Sequence, residues 1–330
     1  MFDPKVSDVQ FSGQLSDLSV SWKQKNDAFV FGNVFPVVNR DEKVGQYIEL
    51  DRADFYRNDI EERAGAGEPP IVGHGLTRQS FNCRVYHGAG LVDDIEKNAS
   101  AAPYDGMEAK TRQLMQQHMI NADAQWQSAF FTTSVWGTDL TGIASGATTG
   151  EFNQWDDASS DPIADIDGQK EAMLALTGFE PNVLVLGYGA WHALKENASL
   201  VSRWQQGPPA AGGPVVMNEQ IVANILGLER IVIAKATQTT SEKDAATDTY
   251  GMILNTNDGL LCYSAPNPGL DVPTAGYTFQ WTGFLGTGTS FPVFTGRKDF
   301  EFADWVAVFA SYDFRIVSPA LGVFFNNIIA

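Results

Sequence analysis

Five aspartates within a short stretch form the densest group of potential metal ligands in the chain, and they are Asp156, Asp157, Asp161, Asp165 and Asp167. Carboxylate oxygens are the ligands that calcium and magnesium prefer in proteins, so one interpretation of the cluster is a metal-dependent α/β enzyme. The spacing departs from a calcium-binding loop, because residues 165–168 (DIDG) lack the third oxygen ligand and the terminal glutamate. A helix cap at Asp161 before Pro162 and a turn at Asp156 explain the same residues. The sequence therefore predicts no metal site and no cofactor, and the metal-dependent enzyme is kept as an alternative.

Other arrangements that could support catalysis are also incomplete. The four histidines are scattered along the chain without the HExxH spacing of a zinc protease. Residues 187–190 (GYGA) follow an apolar run but lack the serine of GxSxG and the spacing of GxGxxG. Cys83 and Cys262 are too few and too far apart for a disulfide framework or a thiolate metal site. The sequence therefore predicts no catalytic, cofactor-binding or metal-ligating residue and no enzyme.

The composition is that of a globular protein with an acidic surface. Apolar residues make up 44% of the 330 residues, and the formal net charge is −18. A chain this acidic is not expected to bind phosphate backbones through a broad basic face. Repulsion between like charges would still let it enclose nucleic acid without binding it. No apolar run approaches the roughly 20 residues of a membrane helix, and residues 1–10 do not resemble a secretory signal. We therefore expect a soluble protein.

The N-terminal half predicts an arm, a strand, a charged hairpin and one long helix. Residues 1–30 read as an extended arm that needs a neighbour or its own domain to order it, and residues 31–38 as an apolar strand. In the hairpin, residues 47–50 go out and Ile71-Val72 come back around a glycine-rich tip; such a hairpin has too little apolar face to be stable alone. A helix of about 30 residues, roughly 45 Å long, is predicted from Pro103 to near Trp136, with a buried face at Met115, Met119, Ala122, Trp126 and Phe130.

The C-terminal half predicts two αβ units followed by strands. Residues 138–154 read as a loop rich in glycine, threonine and serine. Asp161 caps a helix that stops at Gly178, and residues 183–186 form a strand buried on both faces. A second helix, capped by Asn218, leads to a buried strand at residues 231–233. Residues 257–259 (NDG) predict the turn of a β-hairpin, and residues from 293 onward predict strands again.

This order of elements resembles tailed-phage major capsid proteins of the HK97-like fold, over nearly the whole chain. The residues that carry the resemblance are Trp155-Asp156, Ser160-Asp161-Pro162-Ile163, Gly178, Pro181-Asn182, Gly187, Trp191, Leu194 and Asn197-Ala198-Ser199-Leu200. The resemblance implies an α+β fold with an N-arm, an extended β-hairpin loop, a long spine helix and an inserted α/β axial domain. It assigns residues 1–38 to the arm and first strand, 39–77 to the extended loop, 78–159 to the peripheral domain with the spine helix, 160–275 to the axial domain and 276–330 to returning strands of the peripheral domain.

The resemblance also implies a function and partners. The chain would be a major capsid protein that self-assembles as hexamers and pentamers into an icosahedral shell around phage dsDNA, which it does not bind sequence-specifically. It implies a separately encoded scaffold, with processing of a longer chain as the alternative, together with a portal and decoration proteins. The location would be the virion capsid, assembled in the host cytoplasm, without membrane contact. An encapsulin-like nanocompartment shell protein shares the fold and is the alternative function.

The extended loop is the predicted subunit interface because charges of both signs alternate closely along it. The residues assigned to the interface are Glu49, Asp51, Arg52, Arg57, Asp59, Glu61, Glu62 and Arg63. An exposed ion pair contributes about 0–1 kcal/mol. Many weak contacts of this kind can specify register while remaining reversible during closure of a symmetric assembly.

Overall fold

The structure is a computed structural model that describes residues 24–50, 52–60, 62, 71–73, 75–99, 105–205, 217–269, 272–283 and 291–330. The strands of this part of the chain are β1 (Val37–Arg40), β2 (Val44–Leu50), β3 (Leu76–Asn82), β4 (Arg84–Asp93), β5 (Thr138–Ile143), β6 (Glu151–Asn153), β7 (Val183–Leu186), β8 (Arg230–Ile233), β9 (Thr237–Thr239), β10 (Tyr250–Met252), β11 (Gly259–Cys262), β12 (Gly276–Trp281), β13 (Val293–Lys298), β14 (Ala303–Ile316) and β15 (Gly322–Asn326). The helices are α1 (Arg52–Tyr56), α2 (Asp94–Ala99), α3 (Gly106–Phe130), α4 (Pro162–Thr177), α5 (Tyr188–Glu196), α6 (Ala198–Gln205) and α7 (Glu219–Ile225). Within the described residues, none of the helices is long and apolar enough to cross a bilayer.

The helix α3 is the predicted spine helix, but it is shorter than the sequence suggested. Its 25 residues span about 37 Å. Asp105 is the N-cap and accepts hydrogen bonds from two backbone N–H groups of the first turn, while Pro103 lies outside the described residues. The predicted end near Trp136 is wrong, because the chain turns after Phe130, where the Trp136 indole N–H donates to the Phe130 carbonyl at 2.7 Å.

The buried face of α3 agrees with the predicted one at Ala122, Trp126 and Phe130 but differs in the first half of the helix. Leu114, His118, Ala122, Trp126 and Phe130 are buried and recur every four residues, which places them in one row along the helix. The methionines predicted on this face, Met115 and Met119, are only partly buried beside that row.

A five-stranded peripheral sheet is built around the 14-residue strand β14. Strands β12 and β13 pair with opposite halves of one edge of β14, and β4 pairs with the other edge. Because side chains alternate across a strand, Val306 and Val308 of β14 point at α3 and pack with Leu114. Strand β1 adds to β12 in parallel. The predicted strand over residues 31–38 is therefore only partly right, since the strand itself is Val37–Arg40 and the residues before it form a turn.

A six-stranded sheet in the order β6-β5-β15-β11-β7-β8 forms the second body of the fold. The predicted αβ units are here: β7 is buried along its whole length and runs parallel to β8. The loop predicted for residues 138–154 is wrong, because it contains β5 and β6. Strand β15 lies between β5 and β11, so the sheet draws strands from outside residues 160–275, and the predicted domain boundaries there stay predictions.

The hairpin predicted around residues 257–259 is wrong. Strand β10 pairs with β9, whereas β11 pairs with β7 and β15. The Asp258 carboxylate instead accepts the backbone N–H of Asn327 at 2.9 Å and the Asn255 side-chain amide at 2.6 Å. The chain does turn at residues 256–257, but the strand that follows the turn pairs with strands from distant parts of the chain.

Candidate subunit interface

The charged loop forms a two-stranded hairpin that stands beside the peripheral sheet. Strands β2 and β3 pair antiparallel, from Val44 opposite Asn82 to Leu50 opposite Leu76. The strand predicted to return at Ile71-Val72 is wrong, because the returning strand is Leu76–Asn82. Two apolar residues are a weak signal for a strand. The seven residues of β2 pair with a strand of equal length, which Ile71-Val72 could not provide.

The inner face of the hairpin is fixed to its own subunit at the base. Tyr47 and Phe81 stack on Phe279 of β12, with ring centroids 5.6 Å and 4.4 Å from that ring. Stacked aromatic pairs contribute about 0.5–1.5 kcal/mol beyond their burial. The base of the hairpin is therefore anchored.

A second anchor lies beyond strand β2. The Tyr56 hydroxyl donates to the carbonyl of Thr177, the last residue of α4. Gly178 follows in the left-handed conformation, with φ of 73°, and ends that helix as predicted. The Asp54 carboxylate accepts the backbone N–H of Gly75 at 2.7 Å and ties the two arms of the loop together.

The outer face of the hairpin carries exposed apolar side chains, with Gln46 and Ser80 between them. Val44, Ile48 and Leu76 are 56%, 62% and 59% exposed, and Arg78 lies opposite Ile48 in the register. Ile60 and Ile71, between the two strands, are more exposed still, at 78% and 99%. Large exposed apolar patches mark interaction sites, and these side chains make the outer face a candidate for one. Val44, Ile48 and Leu76 are not among the predicted interface residues, although the alternation of residues 44–50 contained the signal for this face.

The charged residues predicted at the interface are brought together only in part. Arg52, Arg57, Asp59 and Glu62 are exposed, and Glu49 is half-buried. Glu49 accepts from the Gln79 side chain across the hairpin at 3.3 Å. Asp51, Glu61 and Arg63 lie outside the described residues. The part these charges play in subunit contact stays a prediction.

A second exposed apolar region caps the far end of the peripheral sheet, at the turn between β13 and β14. Phe300 is fully exposed, Phe302 is 67% exposed with φ of 48°, and Ile95 of α2 is 76% exposed. Arg297 holds this end together by donating to both carboxylate oxygens of Asp94, at 3.0 Å and 2.6 Å. That hydrogen bonding lowers the pKa of Asp94 below its usual range. None of the predicted interface residues lies in this region.

The five aspartates that suggested a metal each have another contact. Asp161 caps α4, and Asp157 accepts from the backbone and hydroxyl of Ser159. Asp165 accepts from the Trp155 indole at 3.2 Å, and burial raises the pKa of that carboxyl to about 6. The remaining two contacts are from Asp156 to Ala330 N at 3.3 Å and from Asp167 to Lys170 at 4.0 Å. Across the described ranges, no three His, Cys, Asp or Glu side chains converge as metal ligands.

Solved structures share this architecture over almost the full chain. A phage-related protein from Bordetella bronchiseptica RB50 is 16% identical, with 97% of each chain covered and a TM-score of 0.64. The capsid protein of cyanophage P-SCSP1u is 12% identical, with 94% of this chain and 90% of that chain covered and a TM-score of 0.59. The SrpI encapsulin from Synechococcus elongatus PCC 7942 is 9% identical, with 99% and 96% covered and a TM-score of 0.58. No sequence-family model matches the chain, and the curated proteins gave no match.

These likenesses define the class to which the fold belongs. The chain has the HK97-like fold found in the shells of phages and encapsulins, and the predicted fold class is confirmed. At identities of 9–16% the likeness establishes the fold.

Proposed function

We propose that this chain is a major capsid protein of a tailed phage. Copies of it form the hexamers and pentamers of an icosahedral shell that encloses phage dsDNA. The observation that supports this most is the agreement in fold over nearly the whole chain with phage proteins, at 94–97% of its length. The location is the virion capsid, after assembly in the host cytoplasm.

The exposed apolar surfaces give this proposal a physical basis. Burial of apolar surface contributes about 25 cal/mol per Å², so Val44, Ile48 and Leu76 favour association once a neighbour covers them. The hairpin is already fixed to its own subunit at Phe279 and Thr177. Less conformational entropy is then lost when its outer face binds a second copy.

The surface features described above suit assembly of copies rather than catalysis. The formal net charge of −18 suits a shell that holds DNA without gripping it. The partners we propose are further copies of the chain, a separate scaffold, a portal and decoration proteins. The proposed work of the protein is therefore structural.

An encapsulin-like nanocompartment shell is the second candidate. The observation that favours it is the SrpI encapsulin, which matches with a TM-score of 0.58 over 99% of this chain. The two candidates differ in contents: a phage capsid holds dsDNA, whereas a nanocompartment holds cargo enzyme. Terminase, portal and scaffold genes beside the coding sequence favour the phage.

Electron microscopy of the purified protein tests both candidates. The chain is expressed with and without its neighbouring genes and imaged by negative stain across a range of protein and salt concentrations. We expect closed shells of uniform size. Small monodisperse particles under every condition would refute a shell-forming role. In particles from the native source, nuclease-resistant dsDNA identifies a capsid, and a co-purified enzyme without DNA identifies a nanocompartment.

A further inference from the structure

A buried histidine joins the helix α3 to strand β14. His118 is 6% exposed, and its Nε2 lies 3.0 Å from the carbonyl oxygen of Val308. Because a carbonyl accepts hydrogen bonds and does not donate them, Nε2 of the neutral ring carries the proton and Nδ1 carries the lone pair. The contact therefore fixes one tautomer of the neutral imidazole.

The histidine contacts β14 at the point where one edge of that strand changes its partner. Strand β13 pairs with β14 as far as Val308, and β12 begins to pair at Tyr312. In the described part of the chain, Ala310 and Ser311 have no strand partner on this edge. Ser311 is buried, and its hydroxyl has no hydrogen-bond partner among the same residues. Since an unsatisfied buried polar group is destabilising, this break is a place of low local stability in the peripheral sheet.

A groove of about 400 Å³ lies beside the break, between β4 and α3, and His118 is one of the side chains that line it. Gly88 of β4 also lines the groove, and a Cβ there would lie 3.7 Å from Nε2 of His118 and 3.2 Å from a methyl carbon of Leu114. Gln117, in the same lining, is exposed. Protons from the solvent can therefore reach the ring through the groove, although helix and strand are packed closely together.

The surroundings of the ring favour its neutral form. From β4, His87 acts on His118, and charges on both rings would repel each other. From β14, Tyr312 stays neutral because burial raises its pKa. On α3 itself, Lys110 packs over Gly90, and the Asp123 carboxylate accepts backbone N–H groups of the N-terminal segment. Burial, together with His87, therefore lowers the pKa of His118, although the hydrogen bond to the Val308 carbonyl acts to raise it.

We infer that His118 is a proton-sensitive joint between α3 and the peripheral sheet, closed around the neutral ring and loosened at Val308 when a proton from weak acid binds Nδ1. The charged ring gains hydration once helix and strand separate, because burial of an uncompensated charge is costly. The separation begins at the break in the pairing of β14, and the six-stranded sheet is not involved. The joint belongs to the single subunit and does not depend on the proposed shell.

The direction of the effect follows from the protons bound in the closed and opened states. A solvated histidine has a pKa of about 6.5, and the pKa of His118 in the closed state is lower, so the opened state binds more protons in weak acid. The contribution of His118 is fully present above about pH 7 and is lost as the pH falls through the pKa of the closed state. Asp123 on the same helix has a raised pKa and therefore the opposite dependence. A global unfolding measurement would add the two effects together, so a local measurement is needed.

Hydrogen exchange of unassembled subunits provides the local measurement. Exchange is followed at about pH 7.5 and about pH 5.5, on either side of the ordinary histidine pKa, and protection is corrected for the intrinsic exchange rate at each pH. The amides of residues 117–121 and 306–311 should lose protection at the lower pH. The amides of Val183–Leu186, in the six-stranded sheet, should keep it and report that the subunit stays folded.

Two glutamine variants separate the joint from its neighbour. In His118→Gln the side-chain amide can still donate to the Val308 carbonyl but does not titrate, so residues 117–121 and 306–311 should stay protected at the lower pH. His87→Gln is the matched control, because it removes the other ring and leaves the joint. It should show the same acid-induced loss of protection as the wild type.

An NMR titration of the wild-type histidine rings gives a second readout that needs no variant. The ring of His118 should titrate with the same midpoint as the loss of protection. Protection that does not depend on pH in the wild type would overturn the inference, as would an acid-induced loss that persists in His118→Gln or disappears in His87→Gln. If His118→Gln does not fold, the two wild-type midpoints decide, and a clear difference between them would show that His118 is not the joint.

Discussion

The carboxylate of Asp123 holds the backbone of Val30 against the spine helix. Its Oδ1 accepts the N–H of Val30 at 2.9 Å and the N–H of Phe31 at 2.8 Å. Asp123 is fully buried, and burial raises the pKa of its carboxyl to about 7 although both hydrogen bonds act to lower it. One ionisable group thus fixes the N-terminal segment, 93 residues away in sequence, in the core.

This arrangement predicts a pH-dependent stability. The pKa of Asp123 is about 7 in the folded subunit and about 3.9 in an unfolded chain, so the folded state binds more protons between these values. The contribution of Asp123 is therefore fully present below about pH 4 and is lost as the pH rises through about 7. Tyr312, which interacts with Asp123 electrostatically, stays neutral here because burial raises its pKa further.

The measurement is urea unfolding of unassembled subunits at intervals from pH 4.5 to 8. Wild-type stability should fall over this range by an amount on the order of 2–4 kcal/mol more than that of Asp123→Asn, since one pKa unit corresponds to about 1.4 kcal/mol. Asparagine keeps the Oδ1 acceptor but carries no charge. Parallel pH profiles for the two proteins would contradict the prediction.

Removing the acceptor altogether should be costly. Asp123→Ala leaves the buried N–H of Val30 and the partly buried N–H of Phe31 without this acceptor, and a buried unsatisfied group costs about 1–3 kcal/mol. We expect Asp123→Ala to lower the free energy of unfolding by about 2–4 kcal/mol relative to Asp123→Asn at pH 7. Asparagine is the matched control because it differs only in the amide. Equal stability of the two variants would show that the hydrogen bonds do not hold the segment.

Features that depend on neighbouring residues were predictable from the sequence. The cap at Asp161, the stop at Gly178 and the buried strand Val183–Leu186 each rest on signals within a few residues, and the structure has all three. The order of such elements sufficed to suggest the fold, because a long helix followed by an αβ insert and returning strands is a distinctive sequence of elements.

Features that depend on distant partners were not predictable. Strand β11 follows a strong hairpin turn, yet its partners are β7 and β15, and nothing local identifies them. Asp123 is an isolated acid on a helix, and its role requires Val30 from the arm. In the candidate interface, the sequence predicted Glu49 and Arg57 from charge alternation, whereas the exposure of Val44 and Ile48 follows from the strand pairing, which shows the face that is uncovered.

The exposed face of the hairpin should be needed for assembly but not for folding. Ile48→Asp puts a charge where Ile48 is 62% exposed, so an isolated subunit loses little, whereas an interface that covers this face would bury an unpaired carboxylate. We expect the thermal midpoint of unassembled subunits to stay near that of wild type, while shell yield in sedimentation falls at least tenfold. Ile48→Val is the matched control and should assemble. If Ile48→Asp formed normal shells, the outer face of the hairpin would not be part of the subunit interface.

Arg297 should keep the helix α2 ordered at the far end of the peripheral sheet without affecting the global stability of the subunit. Its guanidinium binds both carboxylate oxygens of Asp94, and lysine, which lacks the planar fork, cannot reproduce this pairing. We therefore expect Arg297→Lys to speed hydrogen exchange of the α2 amides of Asp94–Ala99 while leaving the midpoint of global unfolding nearly unchanged. The control is Lys298→Arg, because among the described residues the Lys298 ammonium pairs with the carboxylate of Glu301, at 3.1 Å, and not with α2. Unchanged exchange of α2 in Arg297→Lys would mean that the other contacts of α2, the bond from Asp94 N to Phe302 O and the ion pair of Lys97 with Asp304 at 2.6 Å, are enough to order this end.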